Sequence, residues 1–130
     1  MDPEEVWTMV LAVVNSTDIT RYIDKDTFQV NSEDVYESWQ NANFVEKRIF
    51  VRKRVSGKFE IRCGKGLTLA NFISNWNQAV NNGVVTMGVF VQNDNSFQAI
   101  EAFYSFEGQE HVELDNGAFY DRLVVNIEEC

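Results

Sequence analysis

Two carboxylates, Asp121 and Glu101, stand where a small enzyme would keep its acid or base. Asp121 alternates with Phe119, Leu123 and Val125, and Glu101 lies between Ala99 and Phe103, so period-two strands would turn both inward. A carboxyl buried there has its pKa moved toward the working range of a general acid or base. Tyr104 and Tyr120 are the candidate hydrogen-bond donors beside them. No nucleophile triad, partner base or metal set accompanies the pair, so a solvated or subunit-facing position is the simpler expectation. His111, the single histidine, is expected in solvent near a hairpin start, facing Arg122. Cys63 has basic neighbours in Arg62 and Lys65, which lower a thiol pKa, but strand parity points it to the core. Gly64-Lys65-Gly66-Leu67-Thr68 lacks the longer glycine spacing of a phosphate loop and reads as a turn and helix cap.

A different chemistry is written in the charge. The net charge is −9, yet residues 44–65 hold eight of the eleven Lys and Arg against only Glu46 and Glu60. Arg48, Arg52, Arg54, Lys58 and Arg62, with Phe50 between two arginines, are the candidate binding residues. Such a stripe suits either an anionic polymer, with Phe50 stacking a base, or a protein interface, where Arg and aromatics concentrate. The acidic remainder repels a long polyanion, which favours a short acidic protein segment, or acids of this chain itself. Acidic ends that mimic nucleic acid are also compatible with the composition.

The elements that must position these residues follow from periodicity. Asp2-Pro3-Glu4-Glu5 starts a helix that runs to about Asn15, and Ser32 caps a second that ends near Asn43. Ile49, Val51 and Val55, then Phe59, Ile61 and Cys63, predict a hairpin turning at Ser56-Gly57, with Arg52 opposite Glu60. Leu67, Ala70, Phe72, Ile73, Trp76 and Val80 predict a third helix, closed by Asn82-Gly83. Val84–Gln92 and Phe97–Phe106 read as central strands joined by Asn93-Asp94-Asn95-Ser96. His111–Leu114 and Ala118–Ile127 form a hairpin around Asn116-Gly117, with Leu114 and Phe119 on the core side.

Composition narrows the classes. A chain of 130 residues with ten Phe, four Tyr and three Trp suffices for one domain over residues 1–130. The apolar run Trp7–Val14 is far below the roughly 20 residues of a membrane helix, and acidic flanks do not suit a secretory signal. Cys63 and Cys130 make no disulfide framework, and no Cys-x-x-Cys or His-x-x-x-His spacing exists. An intracellular protein with no cofactor, no metal and no membrane partner is expected.

The order helix, helix, hairpin, helix, then four antiparallel strands resembles the nuclear transport factor two superfamily, from about Glu4 to Ile127. The resemblance implies an α+β fold with three helices packed on a curved, cone-like antiparallel sheet of about six strands. It also implies a pocket between sheet and helices, and often a dimer through the sheet. It implies no single chemistry, since members include isomerases, dehydratases and transport adaptors. The leading expectation is a non-enzymatic adaptor, dimeric, binding a protein partner through the basic hairpin. The alternatives are a nucleic-acid or phosphate-ligand binder on the same residues, and a pocket enzyme using Asp121 or Glu101.

Overall fold

Val55, Phe59, Ile61 and Cys63 are all odd-numbered, and one uninterrupted strand satisfies that parity without a turn. The computed structural model adopts this solution. It describes residues 9–40, 46–64 and 68–130, with backbone alone for 37–40 and 46–51. In chain order the elements are β1 (Ala12–Val14), β2 (Thr17–Asp18), a 3₁₀ turn (Thr20–Tyr22), β3 (Ile23–Gln40), β4 (Glu46–Cys63), α1 (Leu69–Gln78), β5 (Val80–Asn81), β6 (Val84–Val91), β7 (Ser96–Glu113) and β8 (Phe119–Glu129). The strands form one antiparallel sheet in the order β2-β1-β6-β7-β8-β4-β3, with β5 paired to β6.

This overturns the expected three helices on about six strands: among the described residues one α-helix packs against an eight-stranded sheet. Within the described part of the first expected helix, Ala12–Val14 pairs with β2 and β6. Asn15 and Ser16, at φ 53° and 59°, make the turn that ends it. Residues 1–8 lie outside the described residues. The second expected helix is the outer half of β3, where Val35, Tyr36 and Trp39 suit a strand and long-range pairing with β4 prevails. Its last residues, 41–43, lie outside the described ones. In their described parts, two elements on which the resemblance rested thus carry strands instead of helix.

The hairpin turn at Ser56-Gly57 is also absent. Both residues sit mid-strand, paired with Asn31 and Val30 on β3 and with Glu128 and Ile127 on β8. Arg52 and Glu60 therefore share a strand instead of facing each other. Gly57 answers a close approach: a Cβ there would stand 2.1 Å from the Gln29 carbonyl oxygen and 2.6 Å from Val30 Cα. The approach follows from a bulge in β3 between Asp24 and Gln29. Thr27 fills it, donating from Oγ1 to Asp24 O at 2.7 Å and accepting from Glu60 N at 3.0 Å.

One face of the curled sheet carries the core. Val85, Met87, Val89 and Val91 of β6, Ile100 and Ala102 of β7, and Leu123, Val125 and Ile127 of β8 are buried there with the odd residues of β4. Helix α1 covers this face with Leu69, Phe72 and Trp76, spaced to share one helical face. Thr68 caps it, its hydroxyl accepting from Asn71 N at 3.2 Å. Trp76 is fully buried, edge-on to Tyr104 and Phe106 at ring distances of 5.4 Å. The helix stops at Gln78, and Asn82-Gly83, at φ 54° and 79°, forms the tight turn between β5 and β6 instead of a helix cap.

The curl returns β3 to the β6–β7 turn. Gln92 N donates to Val30 O at 2.9 Å. The Gln92 side chain takes Val30 N and reaches Phe28 O, while the Asn93 side chain accepts from Ser32 N at 2.8 Å. These amides act as a short surrogate strand along the β3 edge from Phe28 to Ser32. Beyond it the β3–β4 ladder continues, from Ser32–Val55 out to Gln40–Glu46. β8 does not follow, because its last rung with β4 is Ser56–Glu128. The outer ladder is a two-stranded arm of roughly 25–30 Å at about 3.3 Å per residue.

Candidate functional site

The outer face of β4 does not present a bare row of cations. Glu60, only 8% exposed, accepts from Arg62 Nε and forms an ion pair with Arg122 Nε, each at 3.1 Å. Arg62 reaches Asp24 at 2.9 Å, and Arg122 also bonds Glu110. The result is a continuous chain of alternating charge across β3, β4, β8 and β7. Burial alone would lower the Arg62 pKa, but the Glu60 hydrogen bond and the Asp24 and Glu60 charges carry it above its ordinary value. Its guanidinium also stacks over Tyr120, 5.0 Å from the ring centre.

Further along β4, Arg54 meets Glu128 at 3.5 Å and Lys53 meets Asp94 at 3.4 Å. Arg52 donates to the Cys130 carbonyl oxygen. Asp94 is held below the ordinary carboxylate range by hydrogen bonds from Ser32 and Gln98, with Lys53 adding to them against a smaller opposing effect of burial. Of the six candidate binding residues, Arg52, Arg54 and Arg62 are thus engaged inside the chain. Lys58 is exposed between Gln29 and Asn126. Arg48 and Phe50 pair by backbone with Ser38 and Tyr36 on the arm, and their side chains lie outside those described.

The arm is what sequence reasoning missed. β8 covers neither strand beyond Ser56, and the surrogate amides stop at Ser32. The signal was present in mirror order: Glu33 and Asp34 on β3 pair with Arg54 and Lys53 on β4, the opposite-charge neighbours an antiparallel ladder favours. A second bulge separates the Val35–Arg52 and Tyr36–Phe50 rungs, leaving Val51 as the extra residue.

The enzyme candidates are not gathered. Asp121 bonds His111 Nδ1 at 2.7 Å at the far end of the sheet. Glu101 is exposed opposite Thr86, on an open depression of about 330 Å³ shared with Arg52 and Cys130. Tyr104 is taken up by the Trp76 cluster and Tyr120 by Arg62. His111 faces Asp121 instead of Arg122, because the hairpin loop holds three residues: Leu114 N donates to Ala118 O at 2.8 Å and Glu113 pairs with Phe119, which sets His111 opposite Asp121. Hydrogen bonding to Asp121 raises the imidazole pKa above 6.5, against some desolvation and with help from Glu113. Cys63 is buried, and burial, reinforced by the Asp121 charge, pushes its thiol up to about 11. It is a protonated core thiol at neutral pH, not a nucleophile. Leu114 and Phe119, expected in the core, are 47% and 37% exposed. Residues 65–67 lie outside the described residues, while Thr68 serves as the expected cap.

Among the described residues no group of three or more His, Cys, Asp and Glu could hold a metal ion. No helix among them is long and apolar enough to cross a membrane. Fold and site together define a class only: among the described residues, a curled antiparallel sheet closed by one helix, with a two-stranded arm at one edge. No family model, no curated protein and no solved structure matches this chain.

Proposed function

We infer that this chain is a non-enzymatic binding domain whose β3–β4 arm recognises a protein partner. One observation carries the reading: the ladder runs on from Ser32–Val55 to Gln40–Glu46 after β8 has stopped at Ser56–Glu128. A two-stranded ribbon is marginal in water by itself. Its open edges are also the standard place for another chain to add a strand. Tyr36, 49% exposed at the last described β3 side chain, gives the arm an aromatic contact. The basic residues support protein over nucleic acid, because Arg62 already spends its charge on Asp24 and Glu60 and the acidic remainder of the chain repels a long polyanion. Two free thiols, one of them exposed at Cys130, suit a reducing, intracellular setting.

Trimming the arm tests this. Replacing residues 36–51 by Asn-Gly joins Val35 to Arg52, which are already a rung, through a favoured two-residue turn. In an extract of its source cells the full chain is expected to run in a complex on size exclusion, and the folded, trimmed chain to run alone. Equal behaviour of the two chains would exclude the arm as the recognition element.

A further inference from the structure

The two edges of the arm differ in sign. Between Glu33 and Gln40, β3 carries three acids and no base; between Glu46 and Arg54, β4 carries five bases and one acid. Their order places Glu33 beside Arg54 and Asp34 beside Lys53 within the arm. An added strand brings a new set of side chains alongside at about 5 Å, so its charges decide which edge accepts it. Two copies meeting by the same edge would set acids against acids on β3, or bases against bases on β4. A copy presenting its β4 edge to the β3 edge of the next sets opposite charges together.

We propose that the partner of the arm is a second copy of this chain, docked head to tail, with the basic β4 edge of one arm against the acidic β3 edge of the next. The proposal rests on the arm being a protein-recognition element and adds what it recognises. Unlike edges in contact leave the pair with one unused edge of each kind, so the assembly closes as a ring or continues as a filament. Each contact is charge-dependent, and salt weakens it. The edge charges also exclude the symmetric edge-to-edge dimer, a form of negative selection common on exposed strands.

Sedimentation velocity on the purified full chain tests this with two charge-reversed variants. One carries Glu33→Lys and Asp34→Lys, which makes both arm edges basic; the other carries Arg52→Glu and Lys53→Glu, which reverses two of the bases on the β4 edge. The native chain is expected to sediment well above its 15.0 kDa monomer mass at low salt and to approach it at high salt. Each variant alone is expected to self-associate about tenfold more weakly or worse, and an equimolar mixture to regain the native behaviour. Circular dichroism on each variant separates a lost contact from a lost fold, and recovery on mixing requires both to be folded. A monomer at every salt and concentration would overturn the proposal, as would a salt-insensitive dimer that both variants retain. A chain that stays monomeric yet cross-links a different protein from Tyr36 would sink this proposal alone and leave the arm as a recognition element.

Discussion

Ser56 on β4 pairs with Glu128 on β8, and this is the last rung the two strands share. One residue further, Val55 N donates to the Glu129 carboxylate at 2.9 Å, so a side chain takes over where the neighbouring strand ends. From there outward β4 has only β3 beside it among the described residues. The boundary divides the chain physically. As far out as Val55 the odd residues of β4, Gly57 aside, are core; beyond Val55 no described side chain of the ladder joins the buried cluster. Residues that hold the fold and residues that meet a partner are thereby separated along the same two strands.

The trimmed chain, with Asn-Gly in place of residues 36–51, is expected to keep its thermal midpoint within a few degrees of the full chain, since Tyr36, the one removed residue whose side chain is described, is exposed and outside the core cluster. Differential scanning calorimetry of both chains measures it. A drop of about 10 °C or more would make the arm part of the cooperative fold.

Gly57→Ala is expected to be severe. The new methyl meets backbone at 2.1 Å, where no rotamer change relieves the clash, and a cost of about 3 kcal/mol or more follows from overpacking with backbone displacement. Gly117→Ala, with nothing within 4 Å but a φ of 84°, is expected to cost about 1 kcal/mol. Urea midpoints rank the two; a reversed order would contradict the close approach of β3.

Glu60→Gln removes one charge from beneath two guanidiniums. Arg62 and Arg122 keep 44% and 36% of their side-chain surface in water, so the expected loss is about 1–2 kcal/mol instead of the larger figure for a buried pair. Glu107→Gln, at an exposed position, is expected near zero and serves as the control.

His111 titrates above 6.5 because Asp121 holds its charged form. A histidine raised on folding adds stability below its unfolded pKa and loses that contribution as pH rises through the folded value. Asp121→Asn is therefore expected to lower the His111 pKa by NMR. It should destabilise the chain near pH 5.5 and much less near pH 9. An unchanged imidazole titration would remove the pair.

Cys63, with its pKa near 11 and no exposed surface, is expected to ignore a disulfide reagent at neutral pH until the chain unfolds. Cys130 is exposed and is expected to react at once. Two fast thiols in the native chain would contradict the burial.

Much of the second half of the fold was legible. Phe72, Ile73 and Trp76 announced α1, Asn93–Asn95 the β6–β7 turn, and Asn116-Gly117 the β7–β8 hairpin, because each signal is local. The first half failed where the deciding partner is distant. Gly57 reads as a turn until Gln29 is known to cross it. Ser32–Trp39 reads as a helix until β4 is known to lie alongside. His111 reads as the neighbour of Arg122 until the hairpin loop is known to hold three residues, with Leu114 bonded to Ala118. The basic residues of β4 were visible as a cluster, but the acids that neutralise them sit, Glu60 aside, on three other segments, and only the sheet order brings those together.

The most direct test places a photo-reactive benzoylphenylalanine at Tyr36 on the arm and, separately, at Val112 at the opposite end of the sheet. After irradiation in a source-cell extract, a discrete protein adduct from Tyr36 and none from Val112 is the expected result. The adduct may hold a second copy of this chain or another protein and the arm is still the recognition element. No adduct from Tyr36, or equal adducts from both positions, would contradict the account.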